Sequence, residues 1–331
     1  MVVANPGGRW SMRPRTLLIL MGVLLVGAAI VAFFLLYPRG GVDLVGFSRE
    51  STATVSFAGS FPAADQPKLM NPLGIAVRGT VVYVAESDAG RVRVFGLRGQ
   101  DEGSIVVPVA PGAPTAYPSD VATLGADRIV VVDNSGERVL ILDADPKAKS
   151  PVVTVVGEGT GPNSVRKPTA IAVDGQTIYV ADGGDLAVKA YNVDGSYART
   201  VVKETSQTAA FAGGLLARNG LLYASDSNAG RIVSFDRATG AEKDVFPDAY
   251  ALPRGIASGL DGGLLVVDTF ERAVRLVSLQ GVRLDTIDGS VDGDGALSSP
   301  RGVAWVNSSK RAYVTDAQLG RVIVFNMRVL D

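Results

Sequence analysis

Six acidic residues stand at one repeated place in this chain: Glu86, Asp133, Asp182, Asp226, Asp268 and Asp316, at intervals of 42 to 49 residues. A ring of carboxylates has the composition of a hard-cation site. The competing reading is structural. An acid that ends a strand accepts hydrogen bonds from backbone N–H groups of the next turn and pairs with a cation nearby. Most of these acids are followed after four or five residues by an arginine, namely Arg91, Arg138, Arg231, Arg272 and Arg321. That spacing favours the structural reading and assigns no metal. Copy three departs, running from Gly183 to Lys189 without an arginine. The stretch from Asp288 through Asp292 and Asp294 has the composition of a calcium loop but lacks the closing glutamate of an EF-hand.

A second group points to a different chemistry. Arg254 and Arg301 occupy identical positions in two copies of Pro-Arg-Gly, and Lys167, beside Arg166, lies just before the equivalent place in a third. Such a cluster can hold a carboxylate or phosphate by charge-assisted hydrogen bonds. The alternative has these cations solvated and paired with neighbouring acids. Asp120 is the single acid at the equivalent strand starts, so Lys167, Arg254, Arg301 and Asp120 are the candidate binding residues. The chain has no His and no Cys. This excludes a Ser-His-Asp triad, a thiolate nucleophile, His- or Cys-based metal centres and disulfides. No cofactor is expected.

The elements that must position these residues are strands. After residue 50, β-branched runs of four to six residues alternate with Gly, Pro, Asn and Asp, and no amphipathic window of helical length occurs. Six copies of one unit are visible. Pro72-Leu-Gly-Ile-Ala-Val77, Pro253-Arg-Gly-Ile-Ala257 and Pro300-Arg-Gly-Val-Ala304 are the clearest; weaker copies begin at Pro118, Pro168 and Ala212. Four of the first hairpins carry a turn signal, at Arg78-Gly79, Asp174-Gly175, Asn219-Gly220 and Asp261-Gly262. Third strands start at Arg91, Arg231 and Arg321. Fourth strands are expected at Ile105–Val109, Val152–Val156, Ala198–Val202, Ala241–Phe246 and Val282–Ile287. The sixth fourth strand is missing at the C-terminal end, and Thr54–Phe57 is expected to supply it. The reading is an all-β fold, a six-bladed β-propeller with four-stranded antiparallel blades, closed by its own N-terminal strand. Gly74, Gly255 and Gly302 are expected where strands converge on the central channel.

The run Pro-x-Gly-Ile-Ala-Val, then Tyr83-Val-Ala-Glu86 or Tyr179-Val-Ala-Asp182, then Arg-Val-x-Val-Phe resembles the NHL repeat, over about residues 53 to 328. Together with the N-terminal segment, the chain is similar to membrane-anchored bacterial propellers of that family. The resemblance implies a binding platform in some relatives, an RNA reader, sensor ectodomain or enzyme in others. A gluconolactonase-like hydrolase would hold a divalent cation in the channel with acids and amides. Here Gly74, Ala170, Gly214, Gly255 and Gly302 fill most of those places, leaving Asp120 with Asn71 nearby.

Leu17 to Leu36 is a run of twenty residues without charge, about 30 Å long as a helix and enough to cross a bilayer. Arg9, Arg13 and Arg15 precede it, so residues 1–16 are expected in the cytoplasm, 17–37 as a transmembrane helix and uncleaved anchor, 38–52 as a linker and 53–331 as the extracytoplasmic propeller. A cleaved signal peptide competes, but the run ends Phe33-Phe34-Leu35-Leu36-Tyr37-Pro38, without a small-x-small site. The four arginines of the first forty residues leave a mildly acidic body, a poor fit to nucleic acid. The expected function is a non-enzymatic, membrane-tethered protein- or ligand-binding scaffold whose partner is an envelope protein or peptide. A hydrolase, or a sensor working through a separate membrane partner, is the alternative.

Overall fold

The computed structural model describes residues 53–148, 153–159, 163–202, 212–288 and 295–329. The apolar run 17–37, the linker, the tip of the calcium-like stretch and the flanking segments lie outside the described residues. Among the described residues no helix is long and apolar enough to cross a membrane.

The chain enters through β1 (Ala53–Phe61) and then builds blade one from β2 (Pro72–Arg78), β3 (Val81–Glu86), β4 (Arg91–Gly96) and β5 (Asp101–Val106). Blade two holds β6 (Pro118–Leu124), β7 (Arg128–Asp133), β8 (Arg138–Asp143), β9 (Val153–Glu158) and a two-residue parallel addition, β10 (Ser164–Val165). Blade three is β11 (Pro168–Asp174), β12 (Thr177–Asp182), β13 (Ala187–Asn192) and β14 (Tyr197–Val202). Blade four is β15 (Ala212–Arg218), β16 (Leu221–Asp226), β17 (Arg231–Asp236) and β18 (Glu242–Val245). Blade five is β19 (Pro253–Ser258), β20 (Leu264–Asp268), β21 (Ala273–Val277) and β22 (Arg283–Ile287). Blade six is β23 (Pro300–Val306), β24 (Arg311–Asp316) and β25 (Arg321–Val329), completed by β1 in the order β1-β25-β24-β23.

The closing strand therefore sits where the repeat count requires it and is longer than expected, because Gly59 takes up a register shift after Phe57 and lets pairing run on to Phe61. In blade one the fourth strand ends at Val106 and not at Val109, since Pro108 has no N–H for the ladder. Asn219 and Gly220 both adopt positive φ, the conformation of a tight two-residue hairpin turn.

Six apolar cores lie between adjacent blades. One joins Tyr83, Val92 and Val94 of blade one to Ile129, Val131 and Leu140 of blade two. The core that closes the ring joins Phe61 of β1, Tyr313 and Val322 to Val82, Val84 and Phe95 of blade one. The Phe61 and Phe95 rings lie 5.0 Å apart, and the Tyr313 hydroxyl donates to the Leu97 carbonyl at 3.1 Å. Phe61 is 4% exposed. Phe61→Ala is expected to destabilise the protein by about 3–5 kcal/mol in urea unfolding. Val106→Ala, at an exposed position, is expected to stay within about 0.5 kcal/mol of wild type.

Candidate functional site

In each blade the innermost strand loses register with its neighbour just after its first residue, between Pro72 and Ile75, Pro118 and Asp120, Pro168 and Ala170, Ala212 and Leu215, Pro253 and Ile256, and Pro300 and Val303. A bulge at this place bends the strand and re-aims its side chains. The residue after the leading Pro or Ala then forms a ring around the channel: Leu73, Ser119, Thr169, Gly213, Arg254 and Arg301. The next position is packed backbone to backbone. A Cβ on Gly302 would lie 2.6 Å from the Leu73 carbonyl oxygen, and one on Gly255 2.7 Å from that of Arg301. Glycine at both places is a requirement of blade convergence. Gly302→Ala is expected to destabilise by at least about 1 kcal/mol in urea unfolding, because the clash is with the backbone of the next blade.

Side-chain hydroxyls fasten the ring from blade to blade. Ser87 donates to the Pro118 carbonyl at 2.6 Å, Thr169 to Ala212 at 2.9 Å, Thr269 to Pro300 at 2.7 Å and Thr315 to Leu73 at 2.6 Å. Ser227 donates likewise to Pro253. The acceptors Pro118, Pro253 and Pro300 directly precede Ser119, Arg254 and Arg301.

All six repeat acids are at most 1% exposed. Each accepts from backbone N–H groups, and five of the six also face a cation of their own blade. Glu86 accepts from Met70 N and pairs with Arg91 at 2.6 Å. Asp133 accepts from Tyr117 N and pairs with Arg138 at 2.9 Å. Asp226 accepts from Asn228 N and Ala229 N and faces Arg231 at 3.4 Å. In blade three, the copy without an arginine, Lys189 pairs with Asp182 at 2.9 Å. Two expected pairs do not form. Asp268 is met by Arg275 at 3.3 Å in place of Arg272. Asp316 takes N–H groups of Ser298, Ser299 and Leu319, and Arg321 makes no ion pair among the described residues.

Lys167, Arg254, Arg301 and Asp120 do come together, lining one cavity of about 750 Å³ along the propeller axis. Asp120 is its single acidic residue, and its two oxygens are spent within the fold. Oδ2 accepts from Ile171 N of blade three and Oδ1 from Val121 N, both at 2.9 Å. Burial pushes this carboxyl up from 3.8 to about 7, against the two backbone hydrogen bonds. Between those values the folded protein holds a proton that the unfolded chain releases, so stability falls as pH rises from about 4 to about 7 and levels above. Asp120→Asn is expected to remove that slope in urea unfolding across the pH range; an unchanged slope would assign it elsewhere. The amide of Asn71, the other polar group considered for a cation, donates to Asp88 and the Tyr117 hydroxyl.

The three cations are not neutralised. Among the described residues Lys167, Arg254 and Arg301 make no ion pair. The Nε atoms of Arg254 and Arg301 are buried without a hydrogen-bond partner. Burial, and then the charge of Arg301, hold Arg254 below the ordinary guanidinium range. Gly213 leaves the space the Arg254 stem occupies: a Cβ there would lie 3.1 Å from Arg254 Cδ. Ser119, not singled out from sequence, joins the group. Its Oγ is also a buried atom without a partner, and the only sequence signal for it is its place in the ring alignment.

Strand order and blade count define a six-bladed β-propeller. A protein of unknown function from Bacteroides thetaiotaomicron is similar in structure, with 15% identity, a TM-score of 0.65 and coverage of 83% of this chain and 76% of that one. A chain from a nidogen–laminin complex matches with 16% identity and a TM-score of 0.59 over 71% and 84% of the two chains. Virginiamycin B lyase from Staphylococcus aureus, in a catalytically inactive His-to-Ala form with quinupristin, matches with 11% identity and a TM-score of 0.57 over 83% and 99%. Neither a protein-family model nor a curated protein matches the sequence. At these identities the likeness defines the fold.

Proposed function

We propose that this protein is a non-catalytic recognition module of the NHL type, tethered to the membrane by its N-terminal apolar run, with the propeller outside the cytoplasm and its binding site at the cation-lined mouth of the channel. The observation that carries the reading is the contrast between acids and bases around the axis. The six repeat acids and Asp120 are committed to the protein's own backbone and cations, while Arg254, Arg301 and Lys167 are left without acidic partners. A site rich in unpaired donors and poor in free carboxylates fits capture of an anionic group better than cation-assisted hydrolysis. The lyase with this fold is inactive once a histidine is replaced, and this chain contains no histidine. The match to a chain from a nidogen–laminin complex is consistent with a binding role on the same scaffold.

The tether fits this arrangement. β1 starts at Ala53, paired with Val329, and ends at Phe61, paired with Val322 close to the Arg321 end of β25. The chain thus reaches the propeller at the face opposite the arginines, which leaves the mouth free for a partner. Crosslinking and mass spectrometry in native envelope membranes test the reading. At least one specific crosslinked partner of the wild-type chain is expected to be lost in Arg254→Ala/Arg301→Ala. An identical set of crosslinks in both would remove the mouth from the binding surface.

A further inference from the structure

Five buried polar side-chain atoms lack a hydrogen-bond partner among the described residues: Ser119 Oγ, Arg237 Nε, Tyr250 OH, Arg254 Nε and Arg301 Nε. Three of the five line the axial cavity, and all three belong to the same ring position of blades two, five and six. A buried donor without a partner is costly, and more so when it is charged. The concentration of such donors at one place, with two like charges as neighbours, sets this part of the cavity wall apart from the rest of the fold. The opposite end of the cavity differs in chemistry. There the inner strands contribute Val77, Thr123, Val173, Ala217, Ser258 and Trp305. One cavity therefore runs from a cationic mouth to an uncharged, largely apolar end with one aromatic ring. Its volume falls in the range of small-molecule sites, roughly 300–1,000 Å³.

From this polarity we infer that the channel binds a small amphipathic anion. Its carboxylate or phosphate head sits between Arg254 and Arg301, within reach of Ser119, and its apolar body lies along the Trp305 end. Two guanidiniums offer paired N–H groups to a two-oxygen acceptor, the geometry in which arginine surpasses lysine. Asp120 does not compete for them, because both of its oxygens are engaged by backbone N–H groups. The inference rests on the reading of the mouth as a recognition site and narrows it to one ligand chemistry.

The test uses the full chain in lipid nanodiscs. The chain has two tryptophans, so a Trp10→Phe background leaves Trp305 as the sole indole reporter. Phenylpropanoate and phenyl phosphate are the anionic probes, 3-phenylpropanamide the neutral counterpart and inorganic phosphate the head group alone. The expected result is saturable quenching or shift of Trp305 emission by at least one aromatic anion. Binding of the amide and of inorganic phosphate should each be at least tenfold weaker. Arg254→Gln/Arg301→Gln should weaken the aromatic anion at least tenfold, with an unchanged circular dichroism spectrum showing that the blades are intact. The single Arg301→Lys variant should fall between the two. Which aromatic anion binds distinguishes a carboxylate source from a phosphate source. Equal binding of acid and amide, binding of inorganic phosphate as tight as that of the aromatic anions, unaltered affinity in the double variant, or no saturable binding in the millimolar range would each overturn the inference. If the probes fail while arginine-dependent crosslinks persist in the envelope, the small-anion inference falls and the docking reading stands. Probe binding with unchanged crosslinks has the reverse meaning.

Discussion

The buried carboxylate that ends each second strand is the interaction on which the mouth of this propeller depends. A carboxylate taken out of water is tolerated only when its oxygens are filled by good donors, and in five blades the donors include backbone N–H groups of the segment about to become the innermost strand; Asp226 of blade four takes Asn228 N and Ala229 N of the turn that follows it. Asp268 holds Ala251 N and Leu252 N immediately before Pro253-Arg254. Asp316 holds Ser298 N and Ser299 N immediately before Pro300-Arg301. Asp182 holds Arg166 N and Lys167 N themselves. In those five blades the acids fix where the chain turns inward and so where the ring residue is presented.

From that turn the rest follows by packing. Six strands converging on one axis bring backbones into contact, which glycine permits at 74, 214, 255 and 302 and which Asp120 and Ala170 accommodate in the other two blades. Hydroxyls then reach across to carbonyls of the next blade at five junctions, and Asp120 makes the sixth link by accepting from Ile171 N of blade three. With the carboxylates used for architecture, the charges left over at the axis are positive. The separation of roles between buried acids and presented bases gives the channel its polarity, cationic at one end and uncharged around Trp305 at the other.

Much of this was legible in the sequence because a repeat shows each structural demand several times. The Pro-x-Gly run, the acid at the end of strand two and the missing sixth fourth strand together specify the blade count and the closure by β1. Arg254 and Arg301 stand out because they break a pattern at an aligned position. Pairing of the acids was less legible, for a physical reason. Side chains two residues apart in a strand share a face, so a cation at the first or the third position of strand three can reach the same carboxylate. Arg91, Arg138 and Arg231 use the first position, whereas Lys189 and Arg275 use the third. A constant spacing in sequence therefore pointed to Arg272, which lies outside the strand. Nor does sequence alone tell an arginine set against an acid from one set beside a second cation. That difference between Arg231 and Arg301 exists only once neighbouring blades are in place.

The central claim is that Arg254 and Arg301 are held at a cost to the fold for the sake of an external anion. Thermal unfolding of the ligand-free protein, wild type against Arg254→Gln/Arg301→Gln in phosphate- and carboxylate-free buffer, tests this most directly. Removing two neighbouring like charges whose Nε donors are buried without partners is predicted to raise Tm by a few degrees, the response to about 1 kcal/mol in a chain of this size. A Tm that is unchanged or lowered would contradict the account and make the two arginines part of the structure they were taken to burden.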